Sequence, residues 1–140
     1  MGCNNSVVIN APAEKVWNVL KNFHDLSWST NVVSKVEVVE TKSASEAGAQ
    51  RILNDAFHET LRSVNESGKS FTYSIDDGPG AVAKDSVEGY LGEVTVFSVT
   101  DNDTSFVSWI SKWKSSKGGV AEMCNPIYHA LLQDLKSHFA

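Results

Sequence analysis

The apolar patterns at the two ends of this chain restrict its fold more than any other feature. Residues 7–17 read Val-Val-Ile-Asn-Ala-Pro-Ala-Glu-Lys-Val-Trp, a short apolar strand that passes through Ala11 and Pro12 into an amphipathic helix. Pro12 suits a first helical position, where the amide proton it lacks is not needed. Ala13, Val16, Trp17, Leu20 and Phe23 then share one face, with Glu14, Lys15, Asn18 and Lys21 on the other. At the far end, Cys124, Ile127, Tyr128, Leu131, Leu132, Leu135 and Phe139 form an apolar stripe at helical spacing. Asn125-Pro126 reads either as a cap with the first helical residue or as a bend in a longer helix. Val120 and Met123 continue the stripe, which favours a helix begun near Val120 and bent at Pro126. Such a chain is expected to form an α+β fold. A curved antiparallel sheet wraps a long C-terminal helix, with a cavity between them.

The middle of the chain supplies the sheet. Val32 to Thr41 alternates and is β-branched. Ala49 to Asn54 and Phe57 to Val64 read as a hairpin about Asn54-Asp55, followed by a strand from Lys69 to Asp76. Asp77-Gly78-Pro79-Gly80 breaks the pattern, and Asp76 to Gly80 reads either as a tight turn or as a mobile gate over the cavity. Val87 to Thr100 reads as one long strand with bends at Gly89 and Gly92, and Ser105 to Ser115 as the last strand. His24 to Ser29 reads as a second short helix. The expected order is a strand, two short helices, six strands and a long helix, in one domain over residues 1–140. Residues 1–5 are expected to be a flexible lead-in.

Composition narrows the partners. Lys and Arg number 12 against 17 Asp and Glu, a net charge of −5, and no basic block tracks a phosphate backbone, so nucleic acid is not an expected partner. No run of about 18 apolar residues exists, so no transmembrane helix is expected. Cys3 and Cys124 lie far apart, which is neither a disulfide framework nor a zinc pattern, and a reducing cytoplasmic setting is expected. Met1-Gly2-Cys3-Asn4-Asn5-Ser6 fits an acylation signal, with myristoyl on Gly2 and palmitoyl on Cys3, or matches it by chance. The four histidines do not cluster, and neither metal nor cofactor is expected. The exposed faces of the long strands leave a homodimer open.

The opening Ile9-x-Ala11-Pro12-x-x-x-Val16-Trp17 resembles the SRPBCC superfamily of START-like, birch-pollen-allergen-like domains. Within it the chain looks like the polyketide cyclase/dehydrase-type branch. Gly48 to Leu53, Glu59-Thr60-Leu61, Phe71 to Ile75 and Val107-Ser108-Trp109 follow in the order of that branch. The resemblance implies a helix-grip fold whose cavity accepts hydrophobic or amphipathic small molecules, such as lipids or polyketides, without fixing an activity.

Strand alternation gives the expected lining. Arg51, Leu53, Phe57, Glu59 and Leu61 share one face, Phe71, Tyr73 and Ile75 the next, and Val107, Trp109 and Trp113 the last. Ile127, Tyr128 and Leu131 face them from the helix, and Trp28 joins the wall. Arg51 and Glu59 are the sharpest pair. They serve as an anchor and a general base, or as a cross-strand ion pair that fixes register. The expected function is non-catalytic binding of a small hydrophobic ligand. A cyclase, aromatase or dehydrase using Glu59, Tyr73 and Arg51 is the alternative. An interaction module whose cavity the aromatic residues have filled is a third reading.

Overall fold

The computed structural model describes residues 1–39 and 42–140. Apolar and polar residues alternate along most strands, and the buried ones turn to a single interior. In chain order the elements are β1 (Gly2–Ile9), α1 (Ala13–Leu20), β2 (Val36–Val38), β3 (Gln50–Leu53), β4 (Phe57–Asn65), β5 (Ser70–Asp77), β6 (Val87–Glu88), β7 (Leu91–Val99), β8 (Thr104–Lys112), β9 (Ser115–Ser116) and α2 (Val120–His138). Seven strands form one antiparallel sheet in the order β1-β8-β7-β5-β4-β3-β2, and β6 pairs separately with β9. This is the expected helix-grip, α+β architecture. α2 runs unbroken through Pro126 and lies along β1, while α1 packs against β7 and β8.

Several local expectations are corrected. Residues 1–5 are not a flexible lead-in, because β1 begins at Gly2 and pairs with β8 from Gly2↔Lys112 to Ile9↔Ser105. Cys3 is buried within that strand, and a Cβ on Gly2 would overlap the Ser111 carbonyl oxygen. Gly2 therefore has a packing reason to be glycine. The second short helix does not form. The amides of His24 and Ser27 bond to the side chains of Asn22 and Asp25 instead (3.0 and 2.9 Å), so side chains take donors that a helix would need.

The strand expected over Val32 to Thr41 is reduced to β2, its last two residues lying outside the described residues. The strand expected from Val87 to Thr100 is cut at Gly89, whose φ of +69° turns the chain out of the sheet. Its first piece becomes β6, paired with the detached end of the last expected strand, β9. No described helix is long and apolar enough to cross a membrane.

Candidate functional site

The β3–β4 hairpin turns through Asn54 and Asp55, both at φ +55°, a backbone that Asn and Asp tolerate better than most residues. That turn sets the register Arg51↔Glu59 and Leu53↔Phe57, so all four side chains share the inner face. Arg51 and Glu59 are buried, their side chains 5% and 7% exposed. The guanidinium donates twice to one carboxylate oxygen, from Nε (2.9 Å) and Nη2 (2.7 Å) to Oε1, and once from Nη1 to the Phe23 carbonyl (2.8 Å). Its Cζ lies over the Phe23 ring, 3.8 Å from the ring centre. Glu59 Oε2 accepts no hydrogen bond from any described residue. Burial pushes the Glu59 carboxyl above its ordinary range, against the pull of Arg51.

The second polar group uses every tyrosine in the chain. The Trp109 indole N–H donates to the Tyr73 hydroxyl (2.9 Å), the Tyr73 and Tyr128 hydroxyls lie 2.8 Å apart, and the Tyr128 hydroxyl also bonds that of Tyr90. Gly92 makes this possible, since a Cβ there would overlap the tip of the Tyr73 ring. Burial raises the proton affinity of all three hydroxyls, and for Tyr73 the Glu59 charge adds to it. Cys124 lies beside them, and burial pushes its thiol up to about 11, so it is a neutral, poorly nucleophilic group at pH 7.

Between these groups, the sheet and α2 is a cavity of about 160 Å³. Of the expected residues, Arg51, Leu53, Phe57, Glu59, Tyr73, Ile75, Trp109, Ile127, Tyr128 and Leu131 line it. Trp28, Leu61, Phe71, Val107 and Trp113 do not. Phe71 lies against Trp17 and Phe23 (ring centres 6.4 and 6.3 Å), Trp113 stacks on Tyr90 (5.8 Å), and Leu61 and Val107 are buried in the core. Alternation tells which way a side chain points, but not whether the space there is already filled.

The wall also includes residues that alternation missed: Leu26, Val32, Val33, Asn54 and Cys124. Leu26, Val32 and Val33 come from the irregular segment before β2, which is pinned on both sides. Ser29 Oγ and Asn31 Nδ2 donate to the Asp134 carboxylate of α2 (2.7 and 2.9 Å). The Asn54 side chain accepts from the Ser34 and Lys35 amides (2.8 and 3.2 Å) and donates to the Val32 carbonyl (2.9 Å). Cys124 lay on the expected helix stripe and Asn54 at the expected turn, so both carried a partial signal. The segment at 76–80, read as a tight turn or a gate, is absent from the wall. Asp77 Oδ1 holds it by accepting the Gly78 and Lys84 amides (2.9 and 3.0 Å), and Val82 beyond it is fully buried. Among the described residues no cluster of His, Cys, Asp and Glu has the makings of a metal site.

This architecture has known counterparts. A family model described as polyketide cyclase / dehydrase and lipid transport matches residues 3–140. A structural-genomics target from Nitrosospira multiformis is similar over 100% of this chain and 97% of its own, with 35% identity and a TM-score of 0.97. The protein XoxI from Bacillus cereus is similar over 99% of this chain and 94% of its own, with 22% identity and a TM-score of 0.80. A Thermobifida fusca protein solved by NMR matches 99% of this chain with 92% of its own, at 20% identity and a TM-score of 0.81. The last two likenesses speak for the fold alone. No curated protein matches the chain.

Proposed function

The chain belongs to the polyketide cyclase/dehydrase and lipid transport family, and from that premise we propose that it binds a small, mainly apolar molecule in the cavity between sheet and α2. The observation that carries this reading is the cavity itself, walled by apolar side chains and interrupted by two polar groups, Arg51–Glu59 and Tyr73–Tyr128. That composition is typical of ligand sites. Its volume of about 160 Å³ lies below the roughly 300–1,000 Å³ of drug-sized sites. It matches the roughly 150 Å³ that holds a benzene ring in an apolar protein interior. One ring with a small substituent fits, and a multi-ring polyketide does not fit unless the pinned segment at residues 26–35 moves.

Native mass spectrometry of the protein purified from its own source tests the reading. A copurifying compound of one-ring size supports it, and a multi-ring compound contradicts the size argument. The alternative is a cyclase, aromatase or dehydrase step in which Glu59 moves a proton, Arg51 fixes it in place and Tyr73 hydrogen-bonds the substrate oxygen. The unpartnered Oε2 of Glu59, on a residue that lines the cavity, favours it. Glu59→Gln separates the two readings. Loss of turnover with retained affinity supports an enzyme, whereas turnover absent from both proteins with retained binding supports a carrier.

A further inference from the structure

The three tyrosine hydroxyls and the Trp109 indole bring four protons to a network of three hydrogen bonds. The indole proton can only go to Tyr73. Tyr128 has one proton and two hydroxyl neighbours, so whichever way the network points, one O–H has no acceptor inside it. The surplus proton sits on Tyr73, Tyr128 or Tyr90. Tyr73 and Tyr128 line the cavity, whereas Tyr90 lies behind it. Near the network two further buried polar atoms, Ser111 Oγ and Trp113 Nε1, have no hydrogen-bond partner among the described residues. Trp113 Nε1 can only donate, whereas Ser111 Oγ can also accept and lies beside Tyr90. A surplus proton on Tyr90 thus has an acceptor at hand, but on Tyr73 or Tyr128 it faces the cavity without one, and a buried donor without an acceptor is costly.

We infer that the occupant of the cavity is a neutral molecule of one-ring size bearing an acceptor oxygen, a carbonyl or ether, and that this oxygen takes the surplus proton of the Tyr73–Tyr128 pair. The inference rests on the ligand-binding reading above and narrows it. The charges on the wall exclude an anion, because Arg51 is the only cation among the lining residues and Glu59 already pairs with it. A carboxylate entering here would be buried without a counter-ion. Glu59, on the same wall, would repel it as well.

The test uses three probes on the intact protein: acetophenone labelled with ¹³C at the carbonyl, α-methylstyrene, which replaces C=O by C=CH₂ with the shape kept, and benzoate. Binding is followed by NMR titration, and the carbonyl stretch of bound acetophenone by infrared spectroscopy. The expected result has three parts. Acetophenone binds with its carbonyl stretch shifted below the value in hexane. Intermolecular NOEs place its methyl group beside the Tyr73 and Tyr128 rings. Benzoate binds at least about tenfold more weakly, as follows for a buried charge without a partner. A bound acetophenone whose stretch stays at the hexane value overturns the inference, as does benzoate binding as tightly as the ketone. In either case α-methylstyrene binding leaves the cavity reading intact. If none of the probes binds, the cavity reading itself falls, and the inference with it.

Discussion

The interior has two aromatic regions built on different terms. Beneath α1, Trp17, Phe23 and Phe71 meet ring against ring, with Val16, Leu20, Val94 and Val107 around them, and none of the seven is more than 6% exposed. Between the sheet and α2, Tyr73, Trp109 and Tyr128 also meet ring against ring, with centres 6.4 and 5.3 Å apart, yet a cavity of about 160 Å³ remains. The regions differ at the tips of their rings. In the first, Phe23 and Phe71 end in carbon, and the one polar atom, Trp17 Nε1, is sent outward to Glu66 (2.9 Å). With no direction to satisfy, such rings pack on contact alone. In the second, each ring ends in a donor that must meet an acceptor in a fixed direction, and a buried ion pair sets the adjacent wall. Meeting those directions prevents collapse.

The hardest blow to the packed region is Trp17→Ala. It is expected to cost about 3–5 kcal/mol, read as a lower urea midpoint, with little change in acetophenone affinity per folded molecule. A loss of affinity as large as the loss of stability would show that the two regions are not separate. Arg51→Met strikes the other region at a similar cost, about 3–5 kcal/mol, because it leaves Glu59 as a buried carboxylate without a partner. Adding Glu59→Leu is expected to return most of that stability. A double variant no more stable than Arg51→Met in urea unfolding would contradict this account of the pair.

Gly92→Ala is a smaller test, expected at about 1–3 kcal/mol from overpacking against the Tyr73 ring. It should also move the Tyr73 ring resonances and weaken acetophenone binding. Unchanged resonances would mean that Tyr73 does not need the space.

The smallest effect is a slope with pH. Because the Glu59 carboxyl is raised in the folded protein, its contribution favours folding below its unfolded value, about 4.3. That contribution is lost as pH rises through the raised folded value, where the native state holds more protons than the unfolded one. Urea unfolding at stepped pH should show a downward component in wild type that Glu59→Gln lacks, and parallel curves would contradict it.

Much of the packed region was legible in the sequence because it rests on period. Val16, Trp17 and Leu20 repeat at helical spacing, and the strands alternate. Arg51 and Glu59 were legible as a pair because a hairpin about Asn54-Asp55 fixes parity, and their register agrees. The cavity was half legible. Leu26 lies in a segment without period, and Val32 and Val33 lie in a stretch whose alternation reads as strand but which stays irregular before β2, placed by the side chains of Asp134 and Asn54. Tyr90 follows the break at Gly89, and nothing in its local sequence signals that its hydroxyl reaches Tyr128. Phe71 and Val107 were expected in the wall because they point inward, but α1 and its neighbours had already filled that space.

A crystal structure of the protein under xenon pressure tests this contrast most directly. Xenon is expected in the cavity beside Ile75, Ile127 and Leu131 and not among Trp17, Phe23 and Phe71. Xenon beneath α1, or a wall closed against it on the α2 side, would contradict the claim that one region is packed and the other held open.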